Sequence, residues 1–261
     1  MKQEKWLTRR VIWAGARLSG RADAIIFNSH VAMKQHQAIG YDNDRMQVIQ
    51  NGLDPTLVAP VPGARAALRH KLGIDDGSFL IGCVGRLHPD KNQQLLVEAV
   101  NLLVGRGVDV HCLLVGRGCE AGGDAEKLRG QGALKGRLHL MGEQRPVTPL
   151  LSGLDCLALP SRGESFPNVL VEAMACGIPC VSTDVGDAAM ILKDSDRISP
   201  PMDAVALSTS IAKVSRMSHV ERTRLGNRDQ SSIIQRFPVE RMLGQYELLW
   251  TDMIAGRNSW A

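Results

Sequence analysis

The sequence predicts an α/β protein built around a doubly wound parallel sheet. Short apolar runs alternate along the chain with helical patterns, and most of these runs are continuously apolar. A continuously apolar strand is typical of a sheet that helices cover on both faces, and regular alternation of strand and helix indicates parallel crossovers. Because such crossovers are right-handed, the carboxyl ends of the strands meet at one edge of the sheet, where ligands bind.

Seven short apolar runs are the predicted strands. They cover residues 24–27, 47–49, 80–84, 110–115, 138–141, 156–159 and 180–182. Apolar residues at helical spacing predict intervening helices over residues 93–103, 125–134, 168–176 and 204–216. A last helix is predicted over residues 238–255, where the apolar positions form one stripe. That stripe needs a neighbour to pack against, and residues 1–50 are the candidate.

Proline and glycine divide the chain into segments. Three prolines and two glycines fall between residues 51 and 63, which we therefore predict to be an interdomain linker. The main domain then covers residues 64–236. Residues 1–50 read as a fragment of another domain, with a basic helix, a strand, a helix and a strand. Residues 237–261 form the terminal helix and tail.

The composition of the 261 residues is that of a soluble globular protein, with 44% hydrophobic and 22% charged residues. The six cysteines contain no C-x-x-C pair, so we expect reduced, structural thiols. A net charge of +4 is too small to indicate a nucleic acid as partner.

The amino-terminal stretch is basic and contains Trp6 and Trp13. A basic helix that carries tryptophan can lie on an anionic membrane, although a solvated helix face is the simpler interpretation. No apolar run is long enough to cross a bilayer, and the start of the chain lacks the apolar core of a signal peptide. We therefore expect a cytoplasmic protein, with peripheral contact at the inner face of the membrane as the alternative.

Two cations follow the strand predicted at 80–84. Gly85 would let a ligand approach the backbone, and Arg86 and Lys91 lie in the same loop. Arginine suits bidentate contact with phosphate, and lysine supplies a point charge. Either residue alone would most often be a solvated surface charge. Together, after a buried strand, they predict an anion site.

Two further strands are followed by glycines that are weaker indicators. Gly116 begins a Gly-Arg-Gly turn, and Gly142 precedes two polar residues against which a flat base could lie. A lone G-x-G is weak evidence for ligand contact. An ordinary turn remains the alternative interpretation of both loops.

The loop after the strand at 156–159 is the most informative. Pro167 suits the first position of a helix, whose N-terminus would favour a phosphate. Glu164 precedes this helix and Glu172 lies inside it, among apolar residues. Burying a carboxylate without a partner is costly, and a carboxylate can accept hydrogen bonds from two vicinal hydroxyls. The pair therefore predicts sites for a sugar and a ribose on either side of a diphosphate. The alternative is a loop charge at Glu164 and a solvated helical residue at Glu172.

Taken in order, these motifs resemble the donor-binding domain of the retaining GT-B glycosyltransferases. This family includes sucrose synthases, bacterial glycogen synthases and many sugar transferases of lipopolysaccharide and capsule synthesis. The resemblance rests on the segments 22–29 and 48–54, the Gly-Arg-Leu…Lys-Asn loop at 85–92, and the Glu-x7-Glu motif at 164 and 172. Each segment is unspecific by itself, but the ordered set is highly specific.

The resemblance, which covers about residues 21–255, implies a role for each site residue. Arg86 and Lys91 would grip the donor diphosphate, Glu164 would hold the sugar, and Glu172 the ribose. The implied donor-binding set is Gly85, Arg86, Lys91, Gly116, Gly142, Glu164, Ser165, Phe166, Pro167, Asn168 and Glu172. Within it, Glu164, Arg86 and Lys91 would also take part in catalysis.

The resemblance also implies a fold and a reaction. The fold is the Rossmann-like, C-terminal half of a GT-B enzyme, with a short remnant of the N-terminal acceptor domain over residues 1–50. The reaction transfers a hexose from a UDP-, GDP- or ADP-sugar to a glycan or lipid-linked glycan, with retention of configuration. The resemblance implies no metal and no other cofactor. Polysaccharide or glycoconjugate synthesis at the cell surface is the expected context.

The sequence departs from the family in two respects. The family often has an acidic residue after a Gly-Gly turn, where this sequence reads Gly-Asp-Ala-Ala-Met at residues 186–190. Family members carry an acceptor domain before the segment at 22–29, and only about 20 residues precede it here. We therefore expect a donor-binding half that works with an acceptor-domain partner. The alternatives are a nucleotide-sugar-binding module without catalysis, and another GT-B class such as a nucleotide-sugar 2-epimerase. The Glu-x7-Glu motif weakens the last of these.

Overall fold

The structure is a computed structural model, and it describes residues 6–129 and 134–256. The strands are β1 (Ile25–Phe27), β2 (Met46–Val48), β3 (Phe79–Val84), β4 (Val110–Val115), β5 (Leu138–Met141), β6 (Cys156–Leu159), β7 (Cys180–Thr183) and β8 (Ile198–Ser199). The helices are α1 (Trp6–Leu18), α2 (His30–Gln37), α3 (Ala64–Leu72), α4 (Gln93–Gly105), α5 (Thr148–Ser152), α6 (Asn168–Ala175), α7 (Ala188–Leu192), α8 (Ala204–Ser215), α9 (His219–Arg236) and α10 (Val239–Ile254).

The chain divides into two compact units. The large unit is Leu53–Arg236, and the small unit comprises the described residues of segments 1–52 and 237–261. In the small unit, β1 and β2 form a two-stranded parallel sheet. Its α10 packs against the backbone at Gly52, where a side chain would collide with Val239. The start of the apolar stripe predicted over residues 238–255, at Val239 and Met242, therefore meets the first segment of the chain, whereas Leu243, Trp250 and Met253 of the same stripe are exposed.

The large unit contains a six-stranded sheet in the order β5-β4-β3-β6-β7-β8. Every adjacent pair is parallel, so the predicted doubly wound parallel sheet is confirmed. Counted from β3, this is the 3-2-1-4-5-6 order of dinucleotide-binding folds. The strand order reverses between β3 and β6, because the chain leaves β3 toward β4 and returns to pair β6 on its other side. Such a reversal opens a crevice at the carboxyl ends of the two strands.

The central strands are buried on both faces. Residues 79–83 of β3 are all buried, and successive side chains of a strand point to opposite faces. Ile81 and Cys83 belong to a core cluster that includes the buried residues of α4 and α8. On the other face, Gly82 makes room for the side chain of Leu154, which a Cβ at position 82 would contact. Continuous apolar character thus reflects helices or loops packed on each side of the sheet.

The prediction of a helix over residues 125–134 is wrong. The chain instead forms a short 3-10 helix at Asp124–Leu128, and residues 130–133 lie outside the described part. Ala125 and Leu128 are the buried residues of this turn. A spacing of three residues buries one face of either helix type, so the apolar pattern could not distinguish them.

Helix α9 was not predicted from the apolar pattern. Among its 18 residues only Gly226, Asp229 and Ile233 are buried. Asp229 pairs with the buried guanidinium of Arg197, and a side chain at Gly226 would collide with the backbone of Gly177. The helix is therefore held by an ion pair and a close backbone approach, neither of which produces an apolar stripe.

Candidate functional site

The candidate site lies at the point where the strand order reverses. The loop 85–92 leaves the carboxyl end of β3 and leads into α4, and the loop 160–167 leaves β6 and leads into α6. Because β3 and β6 are paired neighbours, these two loops start side by side. Open α/β sheets bind their ligands in this crevice.

The two loops are joined by hydrogen bonds. The backbone N–H of Arg162 donates to the carbonyl of Asp90 at 2.7 Å. The ammonium of Lys91 lies 2.6 Å from Glu164 Oε1, and the hydroxyl of Ser161 donates to the same oxygen at 2.7 Å. The structure thus brings the predicted Lys91 and Glu164 into direct contact, although they are far apart in the sequence.

The Lys91–Glu164 pair is only partly exposed to solvent. The side chains are 31% and 11% exposed respectively, so a ligand can reach the ammonium from the crevice. One carboxylate oxygen, Oε1, accepts both of these hydrogen bonds. The Glu164 carboxylate therefore keeps acceptor capacity on Oε2, which hydroxyl groups of a ligand could use.

Arg86 is exposed and has no side-chain hydrogen bond or ion pair with the residues that the structure describes. Its backbone is held in place: the side-chain amide of Gln93 donates to the Arg86 carbonyl at 2.9 Å. Gln93 is only 2% exposed. The loop therefore has a fixed backbone and a free guanidinium, which suits contact with a bound anion.

The end of this loop adopts a left-handed turn. Asn92 has φ 49°, and the backbone N–H groups of Lys91 and Asn92 both donate to the carbonyl of His88. Asparagine accepts this conformation more readily than most residues. The turn fixes the start of α4 and with it the direction of Lys91.

The glycines of the site are explained mainly by backbone packing. At Gly116, where φ is +134°, a side chain would collide with the carbonyl oxygen of Gly85. At Gly142 a Cβ would lie 3.3 Å from the side chain of Glu120, and at Gly85 it would meet only the Lys91 side chain, at 3.8 Å. Close packing of the β4 loop on the β3 loop is thus what requires Gly116. Contact of Gly85, Gly116 and Gly142 with a donor stays a prediction.

Helix α6 begins at Asn168, as the predicted range 168–176 has it, but Pro167 precedes the helix and is not its first residue. Pro167 is the N-cap, with ψ 88°. The residue before the first helical turn need not have helical ψ, and proline's fixed φ suits it as well. Phe166 and Pro167 are buried, whereas Ser165 and Asn168 are exposed at the start of the helix.

The second glutamate of the motif is half-buried in α6. Burial raises the pKa of Glu172 above its ordinary value. No hydrogen bond or ion pair to its carboxylate is found within residues 6–129 and 134–256. A half-buried carboxylate without such a partner is unfavourable, so Glu172 is suited to accept hydrogen bonds from a ligand.

Sequence reasoning placed the Gly186 turn at the crevice but missed the contacts that support Glu164. Ser161 is fully buried and orients Glu164, and the hydroxyl of Thr183 donates to the Ser161 carbonyl at 2.7 Å. Gly186, with φ +52°, packs against the carbonyl of Ser165, and the N–H of Asp187 donates to that carbonyl at 2.9 Å. The turn after β7 therefore supports the Glu164–Ser165 backbone. The Ser-Arg-Gly-Glu run alone does not indicate these contacts, since they come from a neighbouring strand.

Two features are absent from the residues that the structure describes. Within them, no group of three or more His, Cys, Asp or Glu side chains is arranged to hold a metal ion. Across the same part of the chain, no helix combines the length and the apolar character that crossing a bilayer requires.

Comparison with known proteins identifies the class to which this fold and site belong. The family described as glycosyl transferases group 1 matches residues 78–216, which is more than half of the chain. The chain therefore belongs to the group 1 glycosyltransferases, and the predicted family resemblance is confirmed.

Two curated relatives illustrate the range of the family. N-acetyl-alpha-D-glucosaminyl L-malate synthase of Bacillus anthracis is 25% identical over 236 residues, covering 90% of this chain and 61% of the relative. D-inositol 3-phosphate glycosyltransferase of Mycolicibacterium gilvum is 32% identical over 180 residues, covering 66% of this chain and 39% of the relative. This chain thus spans between about two fifths and three fifths of the length of these relatives.

Solved structures agree with the fold. HepE of Anabaena, solved in complex with UDP-glucose, aligns with a TM-score of 0.82 and 26% identity over 94% of this chain and 68% of that one. Sucrose-phosphate synthase of Thermosynechococcus elongatus aligns with a TM-score of 0.84 and 23% identity, over 98% of this chain and 63% of that one. The predicted Rossmann-like half of a GT-B fold is confirmed.

Proposed function

We propose that this chain is the donor-binding half of a retaining hexosyltransferase that uses a nucleoside diphosphate sugar. The observation that carries the proposal is the contact between Lys91 and Glu164 at the reversal of strand order, 2.6 Å between Nζ and Oε1. It puts a cation for phosphate beside a carboxylate for hydroxyls, and exposed Arg86 adds a second cation to the same loop.

The donor would lie across the two loops. In this proposal the diphosphate contacts Arg86 and Lys91 and faces the start of α6, where Ser165, Phe166, Pro167 and Asn168 lie. Positive charge at a helix N-terminus favours a phosphate. The sugar hydroxyls would then bond Glu164, and the ribose hydroxyls would bond Glu172, whose carboxylate lies further along α6. Gly85, Gly116 and Gly142 would line the remaining backbone of the crevice.

Catalysis would follow from the same groups. As the sugar leaves, the diphosphate gains negative charge, and fixed cations stabilise that charge best when they are already in place. Arg86 and Lys91 would do this without a metal ion or other cofactor. Glu164 would hold the sugar while the acceptor attacks the face from which the diphosphate departs, which retains the configuration without a covalent enzyme intermediate.

UDP is the nucleotide that we propose for the donor. The HepE protein of Anabaena, which is 26% identical, was solved with UDP-glucose, and its complex with UDP aligns at 25% identity. GDP- and ADP-sugars are the alternatives. The context that we propose is synthesis of cell-surface polysaccharide or glycoconjugate, with a glycan or lipid-linked glycan as acceptor.

Calorimetric titration with UDP and UDP-glucose tests the donor site. We expect binding by the wild type and a loss of roughly 10- to 100-fold in Lys91→Ala, since a hydrogen bond to a charged group contributes about 1.5–3 kcal/mol. The matched control is Lys213→Ala, which also removes a lysine paired at 2.7 Å with an acidic residue, but on α8. Equal affinity in the Lys91→Ala and Lys213→Ala variants would remove the phosphate assignment.

A second candidate function differs from the first in whether this chain transfers the sugar by itself. The chain spans 39% of the Mycolicibacterium relative and 61% of the Bacillus relative, and the second candidate is a donor-binding module or subunit that works with an acceptor-domain partner. We expect the isolated chain to bind UDP-glucose with little or no transfer. Efficient transfer by the pure chain would contradict the module and support a self-sufficient enzyme.

We also propose that the protein acts in the cytoplasm. The alternative is peripheral contact of α1 with the inner face of the membrane, because Trp6 and Trp13 are 64% and 52% exposed and lie beside Arg10 and Arg17. Sedimentation with anionic and with neutral lipid vesicles separates the two. Co-sedimentation only with anionic vesicles, lost in Trp6→Ala/Trp13→Ala, would favour the membrane contact.

A further inference from the structure

A second polar site lies at the opposite edge of the large sheet. A cavity of about 100 Å³ opens beside the amino ends of β6 and β7, with Arg65, Arg222, Asp155 and His219 in its wall. Asp155 directly precedes β6, whereas the donor loop follows it. Since β6 has four residues, the two sites are separated by about 13 Å of strand at a rise of ~3.3 Å per residue.

Positive charge exceeds negative charge around this cavity. Asp155 accepts from the buried guanidinium of Arg69 and from the backbone N–H of Leu80 at 2.8 Å. Arg65 and Arg222 make longer contacts with the other oxygen of Asp155, at 3.4 and 3.5 Å. One carboxylate thus faces three guanidinium groups.

A second carboxylate near these three arginines, that of Asp76, does not neutralise the excess positive charge. Asp76 lies 3.8 Å from Arg65, and its side chain is 85% exposed. An exposed ion pair at that distance contributes little.

The guanidinium groups also have unused donors. The Nε atoms of Arg65 and Arg69 are buried and have no hydrogen-bond partner. Burial holds the pKa of Arg69 below its ordinary value despite the attraction of Asp155, and the charge of Arg65 lowers this pKa as well. Buried cations that are incompletely paired favour one more anion nearby.

We propose that this cavity binds a small tetrahedral oxyanion, of the chemical class of inorganic phosphate, between Arg65 and Arg222. A buried water needs about 10–15 Å³ of such volume, so 100 Å³ holds several waters or one polyatomic anion but not a nucleotide. Bidentate guanidinium contacts suit phosphate. Oδ2 of Asp155 is satisfied by Arg69 and Leu80, and Oδ1 has only the long contacts with Arg65 and Arg222. Arg65 also donates to the Asp76 carbonyl and Arg222 to the Met217 carbonyl, which leaves their remaining N–H groups for the anion.

Titration of the chain with inorganic phosphate tests this site, followed by calorimetry and by phosphorus NMR. Phosphate can also bind the donor loops, so the titration is done in Arg86→Ala/Lys91→Ala as well as in the wild type. We expect both proteins to bind phosphate at one shared site. Adding Arg65→Gln to the double variant should weaken that binding at least about tenfold, whereas adding Arg106→Gln, an exposed arginine elsewhere in the unit, should leave it unchanged.

Two results would overturn the proposal: no phosphate binding in Arg86→Ala/Lys91→Ala, or equal binding with and without Arg65→Gln. If Arg65→Gln does not fold by circular dichroism, Arg65→Lys replaces it. Lysine keeps the charge but loses the planar fork, so the expected result is weaker but measurable binding. Unchanged affinity in Arg65→Lys and in Arg222→Lys would equally contradict the site. UDP binding is measured in parallel, because it reports on the donor site alone.

Discussion

The two edges of the large sheet each hold a carboxylate paired with a cation, but the surroundings differ. At the carboxyl edge, Glu164 meets Lys91 with 31% of the lysine side chain exposed. At the amino edge, Asp155 meets Arg69, and both side chains are at most 3% exposed. An exposed pair can exchange its partner for a ligand at small cost, whereas a buried pair cannot lose a partner without leaving a charge unpaired. The first arrangement suits binding and the second stabilises the fold.

The largest expected effect comes from breaking the buried pair. Asp155→Asn should lower the free energy of unfolding by about 3–5 kcal/mol, because three arginines lose their carboxylate inside the protein. Glu164→Gln, the corresponding change at the carboxyl edge, should lower it by no more than about 1 kcal/mol. Urea unfolding of both variants measures the difference.

For ligand affinity we expect the reverse order, with a larger effect from Glu164→Gln than from Asp155→Asn. Glu164→Gln is expected to weaken UDP-glucose more than UDP, because Glu164 is proposed to contact the sugar. Any Asp155→Asn protein that remains folded should bind both ligands as the wild type does. Equal destabilisation by the two substitutions would mean that the edges do not differ in the way we describe.

A smaller effect is expected from the backbone that supports the carboxyl edge. Gly116→Ala should destabilise the chain by about 1–3 kcal/mol, since the new side chain meets the Gly85 carbonyl and φ is +134°. It should also weaken UDP binding, because the displaced loop carries Arg86 and Lys91. The control is Gly105→Ala, where a Cβ meets nothing within 4 Å and φ is not positive. Thermal unfolding and UDP titration of the two variants give the comparison.

The smallest effect is a pH dependence that only the carboxyl edge should show. Burial raises the pKa of Glu172, so the folded state holds its proton more tightly than the unfolded state. Its contribution to stability is therefore fully present below the unfolded pKa and is lost as the pH rises through the folded pKa. Donor binding should change in the opposite sense, because the ionised carboxylate is the better acceptor for ribose hydroxyls.

Glu172→Gln should remove the pH dependence of UDP affinity and the part of the pH dependence of stability that Glu172 contributes. The readouts are UDP affinity and the free energy of unfolding, each measured across the mildly acidic range in the variant and the wild type. If UDP affinity in the wild type does not rise with pH there, or if the variant keeps the same rise, the ribose role of Glu172 is lost.

The sequence anticipated much of this architecture but not all of it. The strands at 110–115, 138–141 and 156–159 have the predicted bounds, because continuously apolar runs are distinctive in a doubly covered sheet. It did not anticipate β8, which has only two residues, or α9, whose attachment rests on Asp229 and Arg197. Short elements and elements held by ion pairs leave no apolar period to read.

For the site, the sequence by itself supplied the residue types and their place after the strands. Glycine, arginine, lysine and one glutamate in loops at strand ends, with a second glutamate in the helix that follows, indicate an anion and hydroxyl groups, whatever the details of packing. Only the tertiary structure decided that Lys91 reaches Glu164 and that Ser161, Thr183 and Gly186 support this contact. It also decided that one carboxylate at the far edge faces three arginines. Such contacts depend on which strands are neighbours, and hydrogen bonds between distant segments leave no local pattern in the chain.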